Sequence, residues 1–435
     1  MRPTRRAIAL AAAGLVVALL PTIVNPRLWP FWPVFLAVFV LLLTVDGFLA
    51  PRPSGVSAEA DVPPNLPIGE GGAVRLTVRI PSARPVQALV AVDLSDRLLP
   101  QEPQTARIGR GGAGLTFDLL PTRRGPVQIE RAWVRYRGPL GLMAAVVTRG
   151  IGRETVVVPN LGPVHRTALR FADDRTFRAG LQIERYKGDG TELDSLREHV
   201  QGDDPRSIDW KATARHNKLV SRQFRAERNH QIVIALDTGR LMSESIAGIP
   251  KLDHAVTTAL LLSYVSLRAG DRVGWMTFDA RVGLYVEPLA GLRNFAVLSQ
   301  RAGRIDYSEA ETNFTLGLTA LAQRLTRRTL IVVLTDFVDT VTAELMLENL
   351  DRLARRHAVV FVALQNPVLA ATAGGFPVDG IDLNRSVVAG TLLRDREVVL
   401  RRLQLQGIEP IDAVPGEVTP RLINTYLEIK RRERI

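Results

Sequence analysis

The chain has 435 residues, 46% of them apolar, enough for two or three domains with ordinary buried cores. It contains no cysteine, which excludes disulfides, thiolate metal sites and a cysteine nucleophile. Its six scattered histidines form no HExxH pattern and argue against zinc. The net charge of +12, mostly from arginine, favours an acidic partner, whether a negative lipid leaflet, nucleic acid or an acidic protein, and selects none of them.

Two uncharged apolar stretches open the chain, Ala7 to Pro26 and Leu28 to Val45, with Arg27 between them. Each approaches the roughly 20 residues a helix needs to cross a hydrocarbon core, and Trp29 and Trp32 sit where an interfacial aromatic belt would. They predict a transmembrane helical hairpin over residues 1–50. The competing reading is a signal peptide, with Arg2, Arg5 and Arg6 as its basic region and Arg5-Arg6 suggesting a twin-arginine signal. Against it, a second apolar run follows within a few residues and no small-residue cleavage site separates the two. Three arginines precede the first stretch and only Arg27 lies between the two. The positive-inside bias therefore predicts a multi-pass protein of the inner or plasma membrane, with the N-terminus and everything after Pro51 in the cytoplasm. Asp46 is expected at headgroup level.

Residues 51–67, with Pro51, Pro53, Pro63, Pro64 and Pro67, read as a stiff extended linker. Over 68–163 the runs AVRLTVRI, QALVAVDL, GLTFDLL, VQIERAWVRYR and ETVVVP alternate between Gly, Pro and Asp breaks, the pattern of an antiparallel β-sandwich. Arg123, Arg124, Arg131, Arg135 and Arg137 read as its solvated outer face. No basic arm, zinc module or aromatic stacking pattern accompanies them, so nucleic acid is not an expected partner. Residues 164–230 form a bridging segment of mixed charge, read as solvated.

From residue 231 strands and helices alternate: IVIALD, a helix from Lys251 to Arg268, RVGWMTFD, VGLYVEPL, helices near 292–302 and 314–326, LIVVLTD, Ala343 to Arg355, AVVFVAL, Val387 to Leu405, IEPID and Pro420 to Arg432. That alternation predicts a doubly wound, Rossmann-like α/β domain over 231–435. Two of its strands end in an acid, Asp237 and Asp336, which belong at the carboxyl edge of the sheet, where such folds bind ligands.

Asp237, Thr312 and Thr335-Asp336 resemble the metal-ion-dependent adhesion site of a von Willebrand factor type A domain. The segment GDDPRSIDWKATAR, with the paired N-terminal spans and the β-domain, resembles the bacterial domain-of-unknown-function family 58. Its motif places Gly202, Asp203, Arg206, Asp209, Trp210, Lys211 and Arg215 at set intervals. The resemblance implies a membrane-anchored, non-enzymatic adaptor for assembly or maturation of other proteins, partnered by a MoxR-type AAA+ ATPase. It also implies a metal site at Asp237, Thr312 and Asp336. That site is eroded, since the Asp-x-Ser-x-Ser pattern reads Asp237-Thr238-Gly239-Arg240-Leu241. Two carboxylates and a hydroxyl could hold Mg2+ with extra waters, more weakly than the full set; alternatively Arg240 supplies the counter-charge and no metal binds.

The motif residues admit two roles, a structural one in which Arg206 or Arg215 pairs with Asp209 above a packed Trp210, or a partner-binding surface. The alternative function is a Mg2+-dependent phosphohydrolase using Asp237 and Asp336. A third, a secreted adhesin, requires the N-terminal segment to be cleaved or inverted. No GxSxG, phosphate loop or Cys-His pair points to another hydrolase, and a small-molecule substrate is not expected.

Overall fold

The computed structural model describes the chain apart from residues 25–28, 164–165, 167–186, 201–206, 217, 226–229, 338–339 and 433–435. It divides into two compact units, Met1–Val158 and Pro159–Ile435.

The first unit begins with β1 (Arg2–Pro3), α1 (Arg5–Val24) and α2 (Phe31–Leu49), followed by β2 (Ser57–Asp61), β3 (Asn65–Pro67), β4 (Gly72–Arg79) and β5 (Val86–Leu94). It continues with β6 (Gln104–Ile108), β7 (Ala113–Leu119), β8 (Gly125–Arg137) and β9 (Met143–Val158). One sheet has the order β1-β9-β8-β5-β6, with β3 parallel on β9, and the other has the order β2-β4-β7. Alternation buries one face of each: Val74, Leu76 and Val78 on β4, Leu115, Phe117 and Leu119 on β7. On β8 a bulge between Ile129 and Arg131 shifts the phase, so Val127 and Ile129 are buried, then Ala132, Val134 and Tyr136, while Arg131, Arg135 and Arg137 face out. Arg124 departs from the expected outer face and is buried.

The stretch 51–67 is part of this unit rather than a linker. Its prolines flank the segment 54–62, which contains none and pairs with β4 from Ser57 opposite Arg79 to Asp61 opposite Arg75. Carbonyls around those prolines accept side-chain donors: Pro51 from the Tyr136 hydroxyl (2.8 Å), Val56 from Arg149 Nε (2.6 Å) and Pro63 from Thr155 Oγ1 (2.7 Å).

Among the described residues, one helical stretch, Phe31–Gly55, is long and apolar enough to cross a membrane. The two N-terminal helices are pinned at their base to the turn between β8 and β9. Ahead of α1, the Thr4 N–H donates to the Leu142 carbonyl (2.8 Å) and its hydroxyl to the Gly141 carbonyl (2.8 Å). At the end of α2, Asp46 accepts from the backbone N–H groups of Leu140 (2.6 Å), Leu142 (2.8 Å) and Met143 (2.7 Å). Asp46 is thus wholly buried in protein, because a tight turn offers it three backbone donors. Gly138 makes the approach feasible, since a Cβ there would lie 2.4 Å from the Asp46 carboxylate.

The second unit opens with a small antiparallel pair, β10 (Lys187–Glu198) and β11 (Val220–Arg225), flanking α3 (Trp210–His216). The mixed charges of 164–230 therefore do not all mark a solvated bridge. Then follow β12 (Gln231–Asp237), the short pair β13 (Ser245–Ile246) and β14 (Ile249–Pro250), α4 (Lys251–Arg268), β15 (Arg272–Phe278) and β16 (Val282–Ala290). Next come α5 (Phe295–Ala302), α6 (Phe314–Arg324), β17 (Leu330–Leu334), α7 (Thr340–Ala354), β18 (Ala358–Leu364) and α8 (Pro367–Gly374). The chain closes with α9 (Gly380–Leu405), β19 (Glu409–Ala413) and α10 (Pro415–Arg431).

The sheet order is β16-β15-β12-β17-β18-β19, parallel except for β16 at one edge. Residues of β12 alternate between two cores. Ile232, Ile234 and Leu236 pack with α4, α5 and α10, and Val233 and Ala235 with α6, α7 and α9. Helices cover both faces, so a central strand such as β12 is apolar from Ile232 to Leu236. Three helices extend beyond or outside the expected spans, each for a capping reason. Asn366 caps α8 with Pro367 in its first turn, Asp379 caps α9 eight residues before Val387, and Pro415 opens α10.

Candidate functional site

In this sheet the chain leaves β12 toward β15 on one side and passes from β17 to β18 on the other. The strand order therefore reverses between β12 and β17, and a crevice opens at their carboxyl ends. Asp237 ends β12, and Thr335-Asp336 directly follows β17. The loop after α5 closes over them, with the Arg240 N–H donating to the Ala310 carbonyl (2.8 Å) and Ser243 Oγ to the Ser308 carbonyl (3.1 Å). That closure brings Thr312 from far along the chain onto Asp237.

Asp237 is buried and both of its oxygens accept from neutral donors. Oδ1 accepts from the Gly239 N–H (2.8 Å) and Thr312 Oγ1 (2.7 Å), and Oδ2 from Thr335 Oγ1 (2.5 Å). Burial pushes its carboxyl up to about 6, the three hydrogen bonds pull it partly back, and the neighbouring Asp336 charge adds to the rise.

Asp336 is held by cations instead. Its Oδ1 accepts from Arg396 Nη1 (2.7 Å) and the Phe337 N–H (3.0 Å), and its Oδ2 lies 2.7 Å from Lys251 Nζ. Arg396 also grips Asp412 Oδ1 through Nε (3.1 Å) and Nη2 (2.7 Å), and Lys251 reaches Glu244 Oε2 (2.6 Å). Burial alone would lower the Lys251 ammonium, but Asp336 and Glu244 outweigh it and raise it; Arg396 is raised against burial by Asp336 and Asp412.

The structure thus brings Asp237, Thr312 and Asp336 together as the sequence suggests, but the counter-charge is not Arg240. That side chain is exposed and pairs with Glu311 (3.3 Å), outside the cluster. The cations that matter, Lys251 and Arg396, lie on α4 and α9, where sequence proximity could not point to them. One signal was available: Lys251 opens an apolar helix, where the helix dipole disfavours a cation, so something must compensate it.

As arranged, these residues do not fit Mg2+. A hard cation needs free carboxylate oxygens, whereas an ammonium and a guanidinium already occupy both oxygens of Asp336. Among the described residues no group of three or more His, Cys, Asp or Glu side chains is placed to hold a metal. Nor does Gly239 leave room for the missing serine, since a Cβ there would lie 2.1 Å from Thr312 Oγ1. Thr312 occupies the space and serves Asp237 as a donor in its place.

Of the motif residues, Gly202, Asp203 and Arg206 lie outside the described residues. Asp209 caps α3, its Oδ1 accepting from the N–H groups of Lys211 (3.0 Å) and Ala212 (3.0 Å). Ala212 is buried and Thr213 is tied to β11, accepting from the Val220 N–H (3.1 Å). This leaves Trp210, Lys211, Ala214 and Arg215 on one outward face. Trp210 is 68% exposed, contrary to the expectation that it packs beneath the motif, because residues two apart lie on opposite sides of a helix and Ala212 takes the inward side.

Comparison with known proteins gives partial matches. The chain is 25% identical over 187 residues to uncharacterized protein Rv1480 of Mycobacterium tuberculosis and equally to uncharacterized protein Mb1516 of Mycobacterium bovis, covering 41% of this chain. It spans about half the length of these relatives, 56%. Among solved structures, the conserved hypothetical protein BatB from Bacteroides thetaiotaomicron aligns with 45% of this chain and 98% of its own, at 14% identity and a TM-score of 0.30. An uncharacterized membrane spanning protein from Vibrio fischeri aligns with 47% of this chain and 98% of its own, at 14% identity and a TM-score of 0.17. Both scores are too low to carry a structural argument. Residues 195–375, which include α3, Asp237, Lys251, Thr312 and Asp336, match the family model described as protein of unknown function DUF58.

Proposed function

We propose that this chain is a membrane-anchored, non-enzymatic protein-binding module whose second unit is a von Willebrand type A-like domain working without its metal. Its partner in this reading is a MoxR-type AAA+ ATPase, in assembly or maturation of other proteins. The reading takes α1 and α2 as a two-span anchor with the soluble parts in the cytoplasm. Support for a returning hairpin comes from Thr4 and Asp46, which tie the start of α1 and the end of α2 to the same β8–β9 turn. Both oxygens of Asp336 are taken by Lys251 and Arg396, which favours binding over hydrolysis at this pair, because a metal-assisted phosphohydrolase needs an open acid.

The observation that carries the proposal is the outward face of α3. An exposed tryptophan beside Lys211 and Arg215 combines the residue types that dominate binding hot spots, on a helix held in place by its cap and β11. The test is a photo-crosslinking amino acid at position 210 in cells. Recovery of an AAA+ ATPase, lost when Lys211 and Arg215 are replaced by Ala, is expected. Crosslinks to unrelated proteins only, unaffected by those changes, would overturn the assignment. Mg2+-dependent phosphate release abolished by Asp237→Ala would overturn the non-enzymatic reading.

A further inference from the structure

At the same carboxyl edge of the sheet, β18 runs into a helical hairpin that the domain core does not absorb. Helix α8 buries no residue, and in the first half of α9 only Ala389 is buried; core contacts of α9 begin at Val399 and Leu403. Gly380 to Arg396, which grips Asp336 and Asp412 at the sheet edge, spans about 24 Å at 1.5 Å per residue. The hairpin's two helices brace one another, Ser386 Oγ donating to the Ala373 carbonyl (3.2 Å).

The tip is apolar and open. Phe376 is 99% and Val378 92% exposed, and Ile381 in the first turn of α9 is more than half exposed. No charged side chain occurs from Gln365 to Val378, and Gly374, Gly375 and Pro377 shape the turn. The exposed Asp379 directly follows Val378 and caps α9, and below it Asp382 faces Arg385 at 3.7 Å, so the charges nearly cancel.

We propose that this tip inserts into the interfacial layer of a lipid bilayer. A protein groove is the less fitting occupant, because the exposed tip has no Trp, Tyr or Arg among its side chains, the anchors that such grooves select. Aliphatic groups with one Phe, on a Gly- and Pro-shaped turn that carries no charge before the capping Asp379, match hydrocarbon rather than a patterned polar surface. The inference rests on the membrane anchorage proposed above, which holds the hairpin at high effective concentration near lipid, so that a few side chains suffice. The near-neutral collar makes insertion independent of lipid charge.

The absence of native cysteine permits a direct test in the full-length protein reconstituted into vesicles. Single cysteines replace Val378, with Phe376 intact, Arg355 at the opposite edge of the sheet, and Val40 in α2. Each carries an environment-sensitive fluorophore, in phosphatidylcholine vesicles with or without phosphatidylglycerol and containing lipid-attached quenchers. The expected result is several-fold quenching at 378 and 40 but not at 355, alike in both lipids, and loss of quenching at 378 when Phe376→Asp is added. Quenching at 40 with none at 378 would overturn the insertion while leaving the anchor standing. A label at 378 shielded from aqueous iodide yet untouched by lipid quenchers would overturn it in favour of a protein contact. No quenching at 40 would remove the anchorage and the inference with it.

Discussion

Replacing Asp237 with Asn tests the electrostatics of the crevice most directly. In the folded protein burial raises this carboxyl from 3.8 to about 6, so between those values the folded state keeps a proton that the unfolded chain has released. Stability from this group therefore falls as pH rises through that window, and the full cost is present above about pH 6. The rise from 3.8 to about 6 corresponds to roughly 3 kcal/mol. Asn keeps the shape and does not titrate. Its carbonyl oxygen can accept from the Gly239 N–H and Thr312, and its amide can donate to Thr335 Oγ1, whose own proton can turn to the Asp336 carbonyl 3.3 Å away. The expectation is a variant matching the wild type near pH 4 and more stable by up to about 3 kcal/mol at pH 7. Hydrogen exchange at the amides of β12 and β17 in the full-length protein, corrected for intrinsic rates, measures the difference. A variant less stable than wild type at pH 7 would refute the reasoning, since it would mean that the ionised carboxylate has a cationic partner, a bound metal included.

Other perturbations separate the remaining interactions. Arg396→Met leaves Asp336 and Asp412 sharing a buried region with one cation fewer, and should cost about 3–5 kcal/mol by denaturant unfolding; a cost under about 1 kcal/mol would show that Lys251 alone suffices. Gly239→Ser, which nominally restores a motif ligand, should instead destabilise by about 1–3 kcal/mol through its clash with Thr312 and give no saturable Mg2+ heat in calorimetry; saturable binding would show that the loop can yield. Asp46→Ala strands three backbone N–H groups and should cost upwards of about 3 kcal/mol, seen as faster hydrogen exchange at Leu140, Leu142 and Met143. Gly138→Ala should mimic it by expelling the carboxylate, and unchanged exchange in both variants would refute the pinned base.

Much of the second unit was legible because its signals are local. IVIALD and LIVVLTD are apolar runs ending in an acid, and their burial on both faces with Asp237 and Asp336 at one edge follows from the alternation of strands and helices. The start of α4 at Lys251 and its end at Arg268 match the reading from helical spacing. Prolines misled where they flank structure instead of interrupting it, as around β2, and α8 and the first turns of α9 hid in a stretch whose caps, Asn366 and Asp379, are its clearest marks.

What the sequence by itself determined is the set of acids and the edge on which they stand, because strand period and chain order are short-range properties. Only the tertiary structure decided what answers their charge. Lys251 and Arg396 reach Asp336 from helices on opposite faces of the sheet, Thr312 reaches Asp237 through a closing loop, and Asp46 meets a turn nearly a hundred residues on. Buried charge is compensated by whichever group packing brings within about 3 Å, and that distance carries no trace in sequence separation.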